Sequence, residues 1–140
     1  MKKILTTMFL LVAFAGVANA AEEKEKHPYT EINAEELQKL QSSNKDLVVV
    51  DSRGREYITG NIIKGAKVLP VSEMTEENLG AIASDKSGKI AFYCQNPQCP
   101  ASALAAYKAA GWGYKNILKY PGGIEDWEKK SLPVEAAPKE

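Results

Sequence analysis

Lys89-Ile90-Ala91-Phe92-Tyr93-Cys94-Gln95-Asn96-Pro97-Gln98-Cys99-Pro100-Ala101-Ser102 is the stretch on which the reading of the fold turns. Lys89 to Tyr93 reads as a buried strand. Pro100 suits the first turn of a helix, where its missing N–H is one that would go unpaired anyway. The helix that follows is expected to run to Ala110 and stop at Gly111. Cys94 therefore directly follows a strand and precedes a helix.

The surrounding sequence repeats that alternation. Leu47-Val48-Val49-Val50 is a continuous β-branched run, the pattern of a strand covered on both faces, and Asp51 ends it. Upstream, Tyr29 to Ile32 reads as a short strand. Asn33 then caps a helix with Glu36 as its capping-box partner, and Leu37 and Leu40 mark the buried face. Between the two central strands, Gly54 to Thr59 is a turn or short helix and Ala66 to Leu69 a second short strand. Thr75 caps a helix through about Ala83, and Ser87-Gly88 turns the chain. Downstream come a strand at Asn116 to Leu118, a turn at Pro121-Gly122-Gly123 and a last helix from Ile124 to Lys130. Strands alternating with helices predict an α/β fold, a doubly wound, mostly parallel sheet flanked by helices. Reactive groups in such sheets lie beyond the carboxyl ends of strands, which is where Cys94 falls.

The ends of the chain differ from this body. Lys2 and Lys3 precede an apolar run from Ile4 to Val17, and Ala18-Asn19-Ala20 gives the small-x-small pattern of a cleavage site. Residues 1–20 are expected to be a signal peptide, with an uncleaved N-terminal anchor as the alternative. The run is shorter than the roughly 20 apolar residues that span a bilayer. The expected destination is the periplasm or the exterior, with no stable membrane insertion after cleavage. Residues 21–28 are charged and read as a flexible lead, 29–134 as the domain, and 135–140 as a flexible tail within a loose Pro133 to Glu140 segment. Cleavage removes two lysines and no acid, leaving 16 basic residues against 18 acidic ones. That balance gives no reason to expect nucleic acid as a partner.

The chain has two cysteines, Cys94 and Cys99, five positions apart in one loop. Such a pair closes too short a loop to add much stability as a staple, so it points to chemistry. A thiol where a loop enters a helix N-terminus meets a positive dipole and inward N–H groups, and both favour the nucleophilic thiolate. The bland alternative is a buried strand-end cysteine acting as a small hydrophobe.

The sequence resembles a single-domain rhodanese. Leu47 to Arg53 is similar to that family's strand and Asp-x-Arg. Tyr57, Gly60, Ile62, Gly65-Ala66 and Leu69-Pro70 resemble its next stretch. Phe92-Tyr93-Cys94 is similar to its active-site strand and nucleophile, and Tyr107 to Trp112 to its helix ending in Ala-Gly-aromatic. Gly122-Gly123-Ile124-Glu125-Asp126-Trp127 with Leu132-Pro133-Val134 resembles its closing motif. The resemblance implies the rhodanese α/β fold and a sulfurtransferase that carries sulfane sulfur as a persulfide on Cys94, without cofactor or metal. Its partners would be small sulfur species or a protein sulfur donor or acceptor. The backbone amides of Gln95, Asn96, Gln98 and Cys99 would cradle the charge, with Asp51 and Arg53 supporting the site.

Departures from the family pattern bear on mechanism. Pro97 and Cys99 stand where the family's loop usually has Gly and often Arg, Asn61 stands for His, and one residue is inserted before Gly65. No Lys or Arg lies between Cys94 and Pro100, and Pro97 and Pro100 bring no N–H. Each missing charge-assisted hydrogen bond costs about 1.5–3 kcal/mol, so polysulfide or a protein persulfide is expected to be a better donor than thiosulfate. Cys99 has three readings: a resolving thiol that attacks the persulfide and leaves a disulfide, a partner that protects Cys94 from overoxidation, or a mere substitute for Arg. A non-catalytic sulfur carrier and a thiol-disulfide redox protein using both cysteines stand as rival functions. His27, the single histidine, falls in the lead, and two cysteines without a nearby histidine do not supply a zinc site. Trp112, Tyr114 and Trp127 read as core or rim.

Overall fold

The computed structural model describes residues 26–139; the expected signal peptide and most of the expected lead lie outside them. Five parallel strands form the central sheet in the order β1 (Thr30–Glu31), β6 (Asn116–Tyr120), β5 (Lys89–Tyr93), β2 (Val48–Asp51), β4 (Lys67–Val68). The helices are α1 (Ala34–Ser43), α2 (Glu76–Ile82), α3 (Ala101–Gly111) and α4 (Gly123–Lys129). This is the expected α/β architecture. Asn33 and Glu36 form the expected capping box, and Thr75 makes one with Asn78.

Period-two alternation on the central strands divides the core into two layers. Val49, Ala91 and Tyr93 point to one face, where they pack with Leu37, Ile124 and Trp127. Val50, Ile90 and Phe92 point to the other, where Leu79 and the small-residue stripe Ala105, Ala106 and Ala109 cover them. Tyr114 and Trp127 are buried, each with its polar atom on a backbone carbonyl: Ala83 O at 2.7 Å and Pro133 O at 2.8 Å.

Two expectations about the ends need correction. Val134–Ala136 is not a loose tail but a strand, β7, paired antiparallel with β3 (Asn61–Ile63). Burial of Ile62 and Ile63 against the core holds β3 in place, and β7 satisfies its backbone. At the other end, His27 belongs with the folded body. Its ring stacks on Tyr29 at 5.1 Å between centroids, and its Nδ1 lies 2.7 Å from the Tyr107 hydroxyl of α3.

Candidate active site

Strand β5 ends at Tyr93, so Cys94 emerges at the carboxyl edge in the middle of the sheet. Cys94 is 2 % exposed, whereas Cys99 is half-buried. The two form a disulfide with Cα atoms 6.1 Å apart, inside the limit of about 7 Å that bridging requires. The loop between them folds on Asn96, whose backbone oxygen accepts from Cys99 N at 3.1 Å and whose Oδ1 accepts from Gln98 N at 3.2 Å. Those two amides are therefore engaged inside the loop, which leaves Gln95 and Asn96 as the candidates to face an anion. Pro100 precedes α3 without a side-chain cap.

With this geometry the sequence matches the model of the rhodanese-like domain over residues 33–130. The chain belongs to the rhodanese-like domain family. Solved structures agree in fold. The BH2092 protein from Bacillus halodurans is 27% identical with a TM-score of 0.68, over 79% of this chain and 82% of that one. A full-length protein from Lactobacillus plantarum is 22% identical with a TM-score of 0.61, over 76% and 88%. A thiosulfate sulfurtransferase from Pseudomonas aeruginosa is 18% identical with a TM-score of 0.65, over 80% of this chain but 22% of that one. Among curated protein sequences none matches.

The rhodanese-like domain fastens its Cys94–Cys99 loop from two sides. On one side is the start of α4. Ile124 N donates to Cys94 O at 3.0 Å and Glu125 N to Gln95 O at 3.1 Å. Gly123 permits this approach. Its φ is +69°, and a Cβ there would sit 2.6 Å from the backbone carbon and oxygen of Gln95. The Glu125 carboxylate accepts from Gln95 Nε2 at 3.0 Å and Asn96 Nδ2 at 3.2 Å. Gln95 and Asn96, expected to act through their amides, are thus held by their side chains as well.

On the other side is the buried pair of Asp51 and Arg53. Arg53 Nη2 lies 2.7 Å from Asp51 Oδ2, and Nε is 3.0 Å from Oδ1. Nη1 donates to Gln95 Oε1 at 3.0 Å and Nη2 to Asn61 O at 2.9 Å, which links the pair to the loop and to β3. Burial opposes the guanidinium charge, but the hydrogen bond and attraction from Asp51 raise its pKa on balance. The Tyr93 hydroxyl donates to Asp51 Oδ2 at 2.8 Å and accepts from Ile63 N at 3.0 Å. Burial first, then the Asp51 charge, pushes that hydroxyl far above the ordinary tyrosine range. Asn61, at the family's His position, reaches Glu128 of α4 at 3.1 Å.

Beside the disulfide opens a cleft of about 520 Å³, mostly apolar, lined by Arg53, Tyr57, Val71, Cys94, Cys99 and Pro100 among others. Tyr57 stands 65 % exposed at its rim, in the short 3₁₀ turn Arg55–Tyr57. Tyr57 carries no local signal for a place beside the cysteines; the fold brings it there.

Proposed function

We propose that this protein is a sulfurtransferase that carries sulfane sulfur on Cys94 and discharges it with the help of Cys99. The observation that carries the reading is the pairing of a buried strand-end Cys94, locked by its own carbonyl to α4, with a second sulfur at the mouth of an apolar cleft. The Cys94 thiolate attacks the outer sulfur of a persulfide or polysulfide donor. A Cys94 persulfide forms, and the donor leaves as a thiolate or a shorter polysulfide. Either an acceptor thiolate takes the outer sulfur and returns the Cys94 thiolate, or the Cys99 thiolate attacks the inner sulfur. The second route expels hydrosulfide and leaves the Cys94–Cys99 disulfide, which an external dithiol then reduces.

The cleft favours such donors over thiosulfate. Its lining cation, Arg53, is already neutralised by Asp51 and occupied by Gln95, so a dianion finds no open positive charge there. Export, expected from residues 1–20, suits a chain with a disulfide.

The test is mass spectrometry of the reduced mature protein after polysulfide. A mass gain of one sulfur atom on Cys94 is expected, and Cys99→Ser should retain that sulfur longer and release less sulfide. Efficient thiosulfate:cyanide turnover at sub-millimolar substrate would refute the donor preference. The disulfide also favours a second reading, a thiol-disulfide redox protein. Loss of two hydrogens without any sulfur gain selects that reading. Sulfur gain without turnover on small acceptors selects a dedicated carrier.

A further inference from the structure

Ser52 has a hydroxyl that the disulfide-bonded state leaves without use. It is fully buried, and among the described residues its Oγ is the buried side-chain polar atom with no hydrogen-bond partner. A buried hydroxyl left unpaired calls for an explanation, because folding has stripped its water without replacing it.

The sheet register places Ser52 next to the nucleophile. Asp51 pairs with Tyr93 across β2 and β5, and Ser52 N donates to Tyr93 O at 3.0 Å, so Ser52 and Cys94 occupy the next step. Alternation gives the direction. Asp51 and Tyr93 meet through their side chains on the Trp127 side of the sheet. Val50 and Phe92, two positions before Ser52 and Cys94, face the opposite side beneath α3. Ser52 and Cys94 therefore share that second face. Val71 N, bonded to Ser52 O at 3.2 Å, fixes the backbone from the other flank.

We propose that Ser52 donates its hydroxyl hydrogen bond to the Cys94 sulfur once the bond to Cys99 opens. It would thus hold the thiolate that attacks the donor and receive it again on discharge. This rests on the reading of Cys94 as the sulfur carrier. In the disulfide the Cys94 sulfur is neutral and directed to Cys99, a poor acceptor. On reduction it becomes an anion in a loop without a cation. Ser52 then supplies a donor from the strand side, opposite the loop amides. The charged groups around the thiol do not compete for that role. Arg53 reaches the cleft but is paired with Asp51 and donates to Gln95 and Asn61, and Glu125 is engaged by Gln95 and Asn96. Glu56 lies on the cleft rim, and the first turn of α3 carries no acid.

The experiment is the pH profile of iodoacetamide alkylation of the reduced full-length protein, read at each cysteine by peptide mass spectrometry. Ser52→Ala should raise the Cys94 midpoint by about one pH unit, the loss of one charge-assisted bond to the thiolate. Ser52→Thr should keep the wild-type midpoint, and the Cys99 midpoint should stay put in both. An unmoved Cys94 midpoint in folded Ser52→Ala overturns the proposal, as does a Thr variant shifted as far as the Ala one. Adjacency is checked separately in the Ser52→Cys, Cys99→Ser double variant: oxidation should bridge positions 52 and 94, and failure to bridge overturns the placement. Should wild type take up no sulfur while the Ser52→Ala shift appears, the carrier reading fails and the hydrogen bond stands.

Discussion

Gly123→Ala tests whether the close docking of α4 is what holds the Cys94–Cys99 loop. The added Cβ would lie 2.6 Å from the Gln95 carbon and oxygen and 2.7 Å from Cys94 O. All three are backbone atoms, which cannot swing aside as a side chain can. The residue also sits at φ +69°, where an L side chain costs about 1–2 kcal/mol. Forced overlap in a packed region costs about 1–3 kcal/mol more, so the expected loss is about 2–5 kcal/mol. Relief by pushing the loop outward would stretch the bonds from Ile124 N and Glu125 N, each worth about 0.5–1.5 kcal/mol, and would move Cys94 with them. Urea unfolding measures the loss as a lower midpoint at constant slope. Gly80→Ala in α2 is the control: its Cβ meets nothing within 4 Å, and replacing a helical glycine should be neutral or stabilise by up to about 1 kcal/mol. A Gly123→Ala protein within about 0.5 kcal/mol of wild type, with Cys94 alkylated at the wild-type rate, would refute the reasoning.

Arg53→Ala strands the Asp51 carboxylate in the interior and should cost about 3–5 kcal/mol in urea unfolding, part of it recovered by adding Asp51→Asn. Burial holds the Tyr93 and Tyr120 hydroxyls above their ordinary value, so the folded state keeps protons that the unfolded chain releases above about pH 10. Stability is then complete below that pH and falls as pH rises through it; thermal midpoints should show the decline, and Tyr120→Phe should make it shallower. Tyr57→Ser removes an exposed ring and should leave the urea midpoint within about 0.5 kcal/mol of wild type, while slowing reaction with a protein persulfide relative to inorganic polysulfide.

Local pattern carried much of the fold. The Val48–Val50 run, the Asn33 and Thr75 caps and the strand before Cys94 all have short-range signatures, and each appears where expected. The β3–β7 pair has none. Each strand is three residues long, and partners such as Ile62 and Glu135 lie far apart in sequence, so pairing is decided by tertiary packing alone. The site divides the same way. The position of Cys94 follows from strand–loop–helix order. The engagement of Gln95 and Asn96 by Glu125 depends on how closely α4 docks, and Gly123 governs that docking through a contact no local pattern displays. Ser52 has a signal only once the register is known, when counting in twos from Val50 and Phe92 puts it beside Cys94.

The split core has a consequence for how this protein can vary. Val50 and Phe92 lead to Ser52 and Cys94 on one surface of the sheet, and the Asp51–Tyr93 contact lies on the other, from which Arg53 reaches the cleft beside Cys94. A single layer of peptide separates them. On the proposed reading, substitutions beneath α3 act first on the surroundings of the Cys94 sulfur, and substitutions beneath α4 act first on where the loop holds it.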